Sequence, residues 1–206
     1  MTKEQFAEVV RKVCSGGEDN SDLKKRYSDN VINALTTLSY SQVIFSTYKN
    51  AAKNNDYSQF NSFLKTYKVD VEYDSDTEEY YCTLPVQIIQ LPDDAGIRSI
   101  TPTKDKSYNF VYSGDGTTYS SQEIRSILTK PVYEVEGNTI RFEKDKFSKQ
   151  YNELLLKLIP SLEAFDDNEE IGIPAENSFD IFNYIKETMQ KMLPVKNTID
   201  DTTKQI

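Results

Sequence analysis

Apolar residues near the start of the chain recur with helical spacing, and further along they switch to alternation. Phe6, Val9, Val10 and Val13 fall at i, i+3, i+4 and i+7, which predicts a short amphipathic helix stopped by Ser15-Gly16-Gly17. A longer helix follows, with Ser21 or Asp22 as its cap. Its apolar stripe is Tyr27, Val31, Leu35, Leu38, Ile44, Phe45 and Tyr48, running to about Lys53. Asn54-Asn55-Asp56 interrupts the pattern, and Asp56 is placed to cap a third helix carrying Phe60, Phe63, Leu64 and Tyr67.

Near residue 68 the period becomes two. Val69, Val71 and Tyr73 share one face while Asp70 and Glu72 share the other, as on a half-buried strand. The polar Asp74-Ser75-Asp76-Thr77 turn then leads to Tyr80 through Leu84, so the two runs read as a β-hairpin. Further strands are predicted over Gly96 to Ile100, over Tyr108 to Tyr112, and over Val132 to Glu136 against Thr139 to Glu143, with Gly137-Asn138 as a two-residue primed turn. Leu154-Leu155-Leu156 satisfies both periods, and we read Asn152 to Ile159 as a strand ended by Pro160.

From Pro174 or Ala175 the spacing is helical again. Phe179, Phe182, Ile185, Met189 and Met192 form one stripe, Pro194 closes it, and the polar tail from Val195 carries no pattern. Helices and strands in blocks, with no alternation between them, predict an α+β fold. Its parts are a helical region over 1–67, a β-rich region of hairpins forming a small sheet or sandwich over 68–173, a C-terminal helix over 174–193 and an extended arm over 194–206.

Charge and composition narrow the function classes. The formal net charge is -9, distributed as +2 over residues 1–66, -7 over 67–145 and -4 over 146–206, so nothing general points to nucleic-acid or membrane binding. No run approaches the roughly 20 apolar residues of a membrane span, and the start of the chain lacks an apolar leader, which predicts a protein made and kept in the cytosol. Cys14 and Cys82 stand apart with no CxxC spacing, signalling neither a disulfide framework nor a zinc site.

The chain contains no histidine, which removes the commonest general base and zinc ligand and makes Ser-His and Cys-His nucleophile pairs impossible. Ser113-Gly114-Asp115-Gly116-Thr117-Thr118 lacks the P-loop lysine, the dinucleotide-binding spacing and the acidic ladder of an EF-hand, and reads as a turn. The remaining chemistry is carboxylate: Asp70, Asp74, Asp76, Glu78 and Glu79 in the first hairpin, and Asp166, Asp167, Glu169 and Glu170 in a late loop. Paired carboxylates can hydrolyse glycosides or hold Mg²⁺, but adjacent ones in a loop normally face water. The late loop also suits electrostatic contact with basic residues of an adjacent subunit. We expect no catalytic centre, no cofactor and no bound metal.

Aromatic surplus is the other signal, with 14 Tyr and 10 Phe. Tyr40, Phe45, Tyr48, Tyr57, Phe60 and Phe63 fit a core margin and a subunit interface equally. Candidate interface residues are Tyr40, Phe45, Tyr48, Phe179, Phe182, Ile185, Val195 and Ile199.

The stretch Asn152-Glu153-Leu154-Leu155-Leu156-Lys157-Leu158-Ile159-Pro160, the acidic linker after it, Ile171-Gly172-Ile173-Pro174-Ala175-Glu176 and Phe179-Asp180-Ile181-Phe182-Asn183-Tyr184-Ile185 resemble the head-to-tail connector (ring or adaptor) proteins of crAss-like short-tailed bacteriophages. The likeness covers the C-terminal third, and the rest follows only in general style. It implies a structural virion protein assembled in the bacterial cytoplasm: a subunit of a closed, dodecameric homo-oligomeric ring below the portal. Such a ring contacts portal, neighbouring ring or tail proteins and lines a channel where phage DNA makes transient, non-specific contact during ejection. An acidic lumen would let DNA slide. Two readings from other classes stand beside it: a carboxylate-based phage hydrolase, and an acidic DNA-mimic inhibitor.

Overall fold

The computed structural model describes residues 1–14, 28–92, 95–104, 110–112, 132–142, 147, 151–173 and 183–188. Outside them lie several expectations: the Ser15-Gly17 stop, the Ser21 or Asp22 cap, Tyr27, the 113–118 turn, Pro174, Phe179, Phe182, Met189, Met192 and the tail with Val195 and Ile199.

Helix α1, Lys3–Cys14, buries Phe6, Val10 and Cys14. A reciprocal cap starts it: the Gln5 amide donates to Thr2 Oγ1 (3.2 Å) and the Thr2 amide to Gln5 Oε1 (2.9 Å), so two otherwise orphaned N–H groups are satisfied. Helix α2, Asp29–Asn54, ends on Asn55, which adopts the left-handed conformation (φ 51°) common at helix C-termini. The inward face of α2 carries the hydroxyls of Thr36, Ser39, Tyr40 and Thr47, and two fold back on their own helix: Thr36 donates to the Ile32 carbonyl (2.7 Å) and Thr47 to that of Val43 (2.8 Å).

The third predicted helix shrinks to a 3₁₀ turn, Phe60–Phe63, because strand β1, Lys65–Asp70, begins three residues before the expected change of period. Asp56 still caps locally, accepting from the Ser58 amide (2.9 Å). The alternating run after it divides between two sheets. Strand β1 pairs antiparallel with β8, Glu153–Leu158, while only β2, Glu72–Asp74, forms the predicted hairpin with β3, Glu79–Thr83.

One sheet has the order β1-β8-β4, with β4 spanning Ile97–Pro102. The other has the order β2-β3-β7-β6-β5, where β5 is Val111–Tyr112, β6 is Val132–Glu136 and β7 is Thr139–Phe142. The β6–β7 hairpin closes through Gly137 at φ +60°, as a primed turn requires. The two sheets enclose one apolar core, with Val69, Ile100, Leu154, Leu156 and Leu158 from the first meeting Cys82, Tyr133, Ile140 and Phe142 from the second.

A second core lies between the helices and the segment after β8. Phe6, Ile32, Leu35, Tyr40, Val43 and Ile44 pack with Phe60, Phe63, Ile159, Leu162, Phe165, Ile171, Ile173 and Ile185. Ile185 sits on helix α3, described over residues 183–188. Chain position therefore does not follow core membership: residues 159–173, late in the β-rich part of the sequence, complete the helical core. The architecture is α+β.

Candidate functional site

Each acidic cluster acquires a partner of its own. In the first hairpin, Asp74 Oδ1 accepts from the Asp76 amide (2.9 Å) and caps the turn, which holds its carboxyl below the usual range. Arg141 on β7 ties the outer face of the five-stranded sheet together, donating to Glu136 (2.9 Å) and Glu79 (3.2 Å). Tyr81 donates to Glu72 at 2.6 Å, and that bond raises the phenol's pKa because the ionised oxygen would lose it. These carboxylates fasten a sheet surface, and they do not converge across a cleft.

The late loop is a clasp on the start of α1. The Lys3 and Glu4 amides donate to the Glu169 (3.0 Å) and Asp167 (2.9 Å) carbonyls, and the Ile171 amide donates to the Met1 carbonyl (3.1 Å). Lys3 Nζ adds a bond to the Phe165 carbonyl (2.7 Å), and Lys65 pairs with Glu169 while lying 4.0 Å over the Phe165 ring. The lysine hydrogen bond holds the Glu169 carboxyl below its ordinary 4.5. A carboxyl whose folded value is depressed stabilises the fold above its unfolded pKa and loses that contribution as pH falls through the folded value. Glu169→Gln should therefore lower stability at neutral pH by about 0.5 kcal/mol, the size of a solvent-screened pair. Urea titrations of the two proteins should converge towards pH ~3, and a gap that persists in acid would contradict the ion-pair account.

Neither cysteine is poised for chemistry. Burial raises the pKa of Cys14 and pushes Cys82 up to about 12. Among the described residues no group of three or more Cys, Asp or Glu is placed to hold a metal ion, and no helix is long and apolar enough to cross a membrane.

Helix α2 departs most from the sequence reading. Tyr40, expected at an interface, is fully covered by this chain: its ring meets Phe6 at 6.3 Å and Phe165 at 6.0 Å, both edge-on. Ile185 is likewise fully buried in the helical core. Both are corrected to core residues, since a side chain with no exposed surface offers none to a partner. Phe45 and Tyr48 are half-buried at the rim of that core.

Conversely, Val31 and Leu38, read on the same apolar stripe as Leu35 and Ile44, point outward with 38% and 49% of their surface exposed. The predicted stripe merged two faces. A family-model scan and a search of curated proteins both return no match. The outward face must therefore be read on its own geometry. Val31, Leu38, Phe45 and Ala52 are spaced by seven, and Ala34, Ser41 and Tyr48 are interleaved three residues later. No charged residue occurs from Asn30 to Tyr48; the first is Lys49, whose Nζ lies 4.4 Å over the Phe45 ring. That charge-free run was the available signal, because a helix with one face in water normally carries charges there.

Proposed function

We propose that this chain is a structural virion protein, a subunit of the ring that links portal and head to tail in a short-tailed bacteriophage. The observation that carries the reading is the outer face of α2. Val31 and Leu38 are exposed on a stretch of α2 that carries no charge from Asn30 to Tyr48, a surface suited to being covered by another chain. The connector-like stretch from Asn152 to Ile173 supports the same reading from a second direction. Its strand β8 is the middle strand of one sheet and its Ile171 and Ile173 complete the helical core, so that stretch builds the subunit's body. The acidic surface suits a channel that must not hold DNA.

Quantitative mass spectrometry of purified particles tests this. The expected result is a fixed stoichiometry equal to that of the portal protein, with the chain retained after the genome is ejected. Its absence from particles that contain the portal would overturn the proposal.

A further inference from the structure

We propose that the cleft between residues 84–90 and the β6–β7 turn takes an extended, uncharged peptide segment of another protein, which adds as a strand along Ile88. The cleft measures about 620 Å³ and is lined by Leu84, Val86, Ile88 and Gln90 from the first segment and by Val135 and Asn138 from the hairpin. Two independent features meet there, and the first is an open strand edge. The Ile89 amide donates to the Ile159 carbonyl (3.0 Å) and the Ser161 amide to the Gln87 carbonyl (2.8 Å), which makes Ile88 and Pro160 an antiparallel bridge. Successive residues of an extended backbone turn their hydrogen-bonding groups to opposite edges, so the Ile88 N–H and C=O point away from Pro160. Among the described residues neither group has a hydrogen-bond partner.

The second feature is the absence of charge. No charged residue lines the cleft, and none occurs from Tyr80 to Pro92. Other clefts of this chain are different: the one beside β1 and β8 is lined by Asp70, Lys104 and Glu153, and the one between α1 and α2 by Lys3, Arg11 and Asp167. Together the two features specify the ligand. An open N–H and C=O are completed by another backbone, the mode in which a strand adds to a sheet edge, and an uncharged lining penalises charged side chains, which would be desolvated without a partner. A small apolar molecule would fill the cleft and leave the Ile88 groups unpaired. Val86 and Ile88 are half-buried against the sandwich core, so the open backbone, more than their side chains, selects an extended chain. The inference goes beyond the ring reading and does not depend on it.

Amide-resolved NMR on the full chain tests it, with four capped pentapeptides as probes. Each has threonine at positions one, three and five, and valine, isoleucine, leucine or phenylalanine at both remaining positions. In the free chain the Ile88 amide should exchange rapidly with solvent. At millimolar concentration at least one peptide should slow that exchange and shift the Ile88 and Gln90 signals. Methylating the central peptide nitrogen should weaken binding at least about tenfold, as should lysine at position two. Ile88→Pro removes an N–H that makes no bond within the chain and should weaken the best peptide by as much. Circular dichroism reports whether that variant folds, and the methylated peptide decides the matter if it does not. A protected Ile88 amide in the free chain, no response to any of the four peptides, or equal binding of the methylated peptide would each overturn the proposal. Protection that grows with the concentration of the chain alone would assign the edge to a second copy and overturn it too. These readouts do not involve particles, so the peptide site and the ring subunit fail separately.

Discussion

Replacing Leu156 with alanine is expected to cost about 2–5 kcal/mol of unfolding free energy, a large fraction of what a domain of this size possesses. Leu156 has no exposed surface and lies in the middle of β8, opposite Tyr67 of β1 on one side and Ile100 of β4 on the other. Removing three carbons there loses their transfer free energy. It also leaves a cavity between two sheets whose side chains are fixed from both sides, so collapse cannot fill it. Leu155, half-buried on the opposite face of the same strand, is the internal control, and its alanine variant should lose markedly less. Urea unfolding followed by tyrosine fluorescence measures both. Equal losses at the two positions would mean that the alternation of β8 does not decide which face is core.

The second large effect is expected at Gly172. Its φ is +70°, where a side chain costs about 1–2 kcal/mol, and a Cβ there would sit 2.4 Å from the Ser62 carbonyl oxygen and 3.1 Å from Phe63 Cα. Both obstacles are backbone, so the segment from Ile171 to Ile173 would have to lift from the 3₁₀ turn, breaking the bond from the Ser62 hydroxyl to the Gly172 carbonyl (2.9 Å). Gly172→Ala should destabilise by about 2–4 kcal/mol, the two causes together. Gly137 separates them, because its φ is +60° with nothing within 4 Å of the added carbon. Gly137→Ala should lose only the conformational part, about 1 kcal/mol, and matching losses at both glycines would refute the steric account.

What the sequence disclosed was local. Leu154, Leu156 and Leu158 alternate with Glu153, Leu155 and Lys157, and that alternation is what the strand buries. Gly137-Asn138 selected its turn, and Asn55 ended its helix, through backbone preferences that act within a few residues. What stayed hidden was set by distant partners. Lys65 to Tyr67 continue a helical pattern in sequence and become strand because β8 supplies their hydrogen bonds from Glu153–Leu158. The hairpin expected from Val69 onward divides at Val71 for the same reason. The late carboxylates do face solvent, as read, but nothing near them in the chain announces Lys3 or Lys65 as partners.

Two of the interface candidates, Tyr40 and Ile185, are buried within this chain. Aromatic size suggested contact with another chain, yet Tyr40 is where α1, α2 and the segment around Phe165 meet. The outward positions Val31 and Leu38 are ordinary aliphatics, whose orientation a single helical stripe could not distinguish. Charge would have distinguished it: α1 carries five charged side chains in twelve residues, while α2 carries none from Asn30 to Tyr48.

The middle strand of the three-stranded sheet is also the last of the three to be synthesised. Strands β1 and β4 do not pair with each other, and both wait for Glu153–Leu158 to be inserted between them. A ribosome adding about 5–20 residues per second needs roughly 3–11 seconds to travel from Pro102 to Leu158. Through that interval the nascent chain holds two strands with unsatisfied edges and an open half of its sandwich core. Loop closure over so many residues makes this the slow step of folding. The order in which the strands leave the ribosome thus exposes this chain to aggregation before its fold is complete, and any chaperone that assists it has its window there.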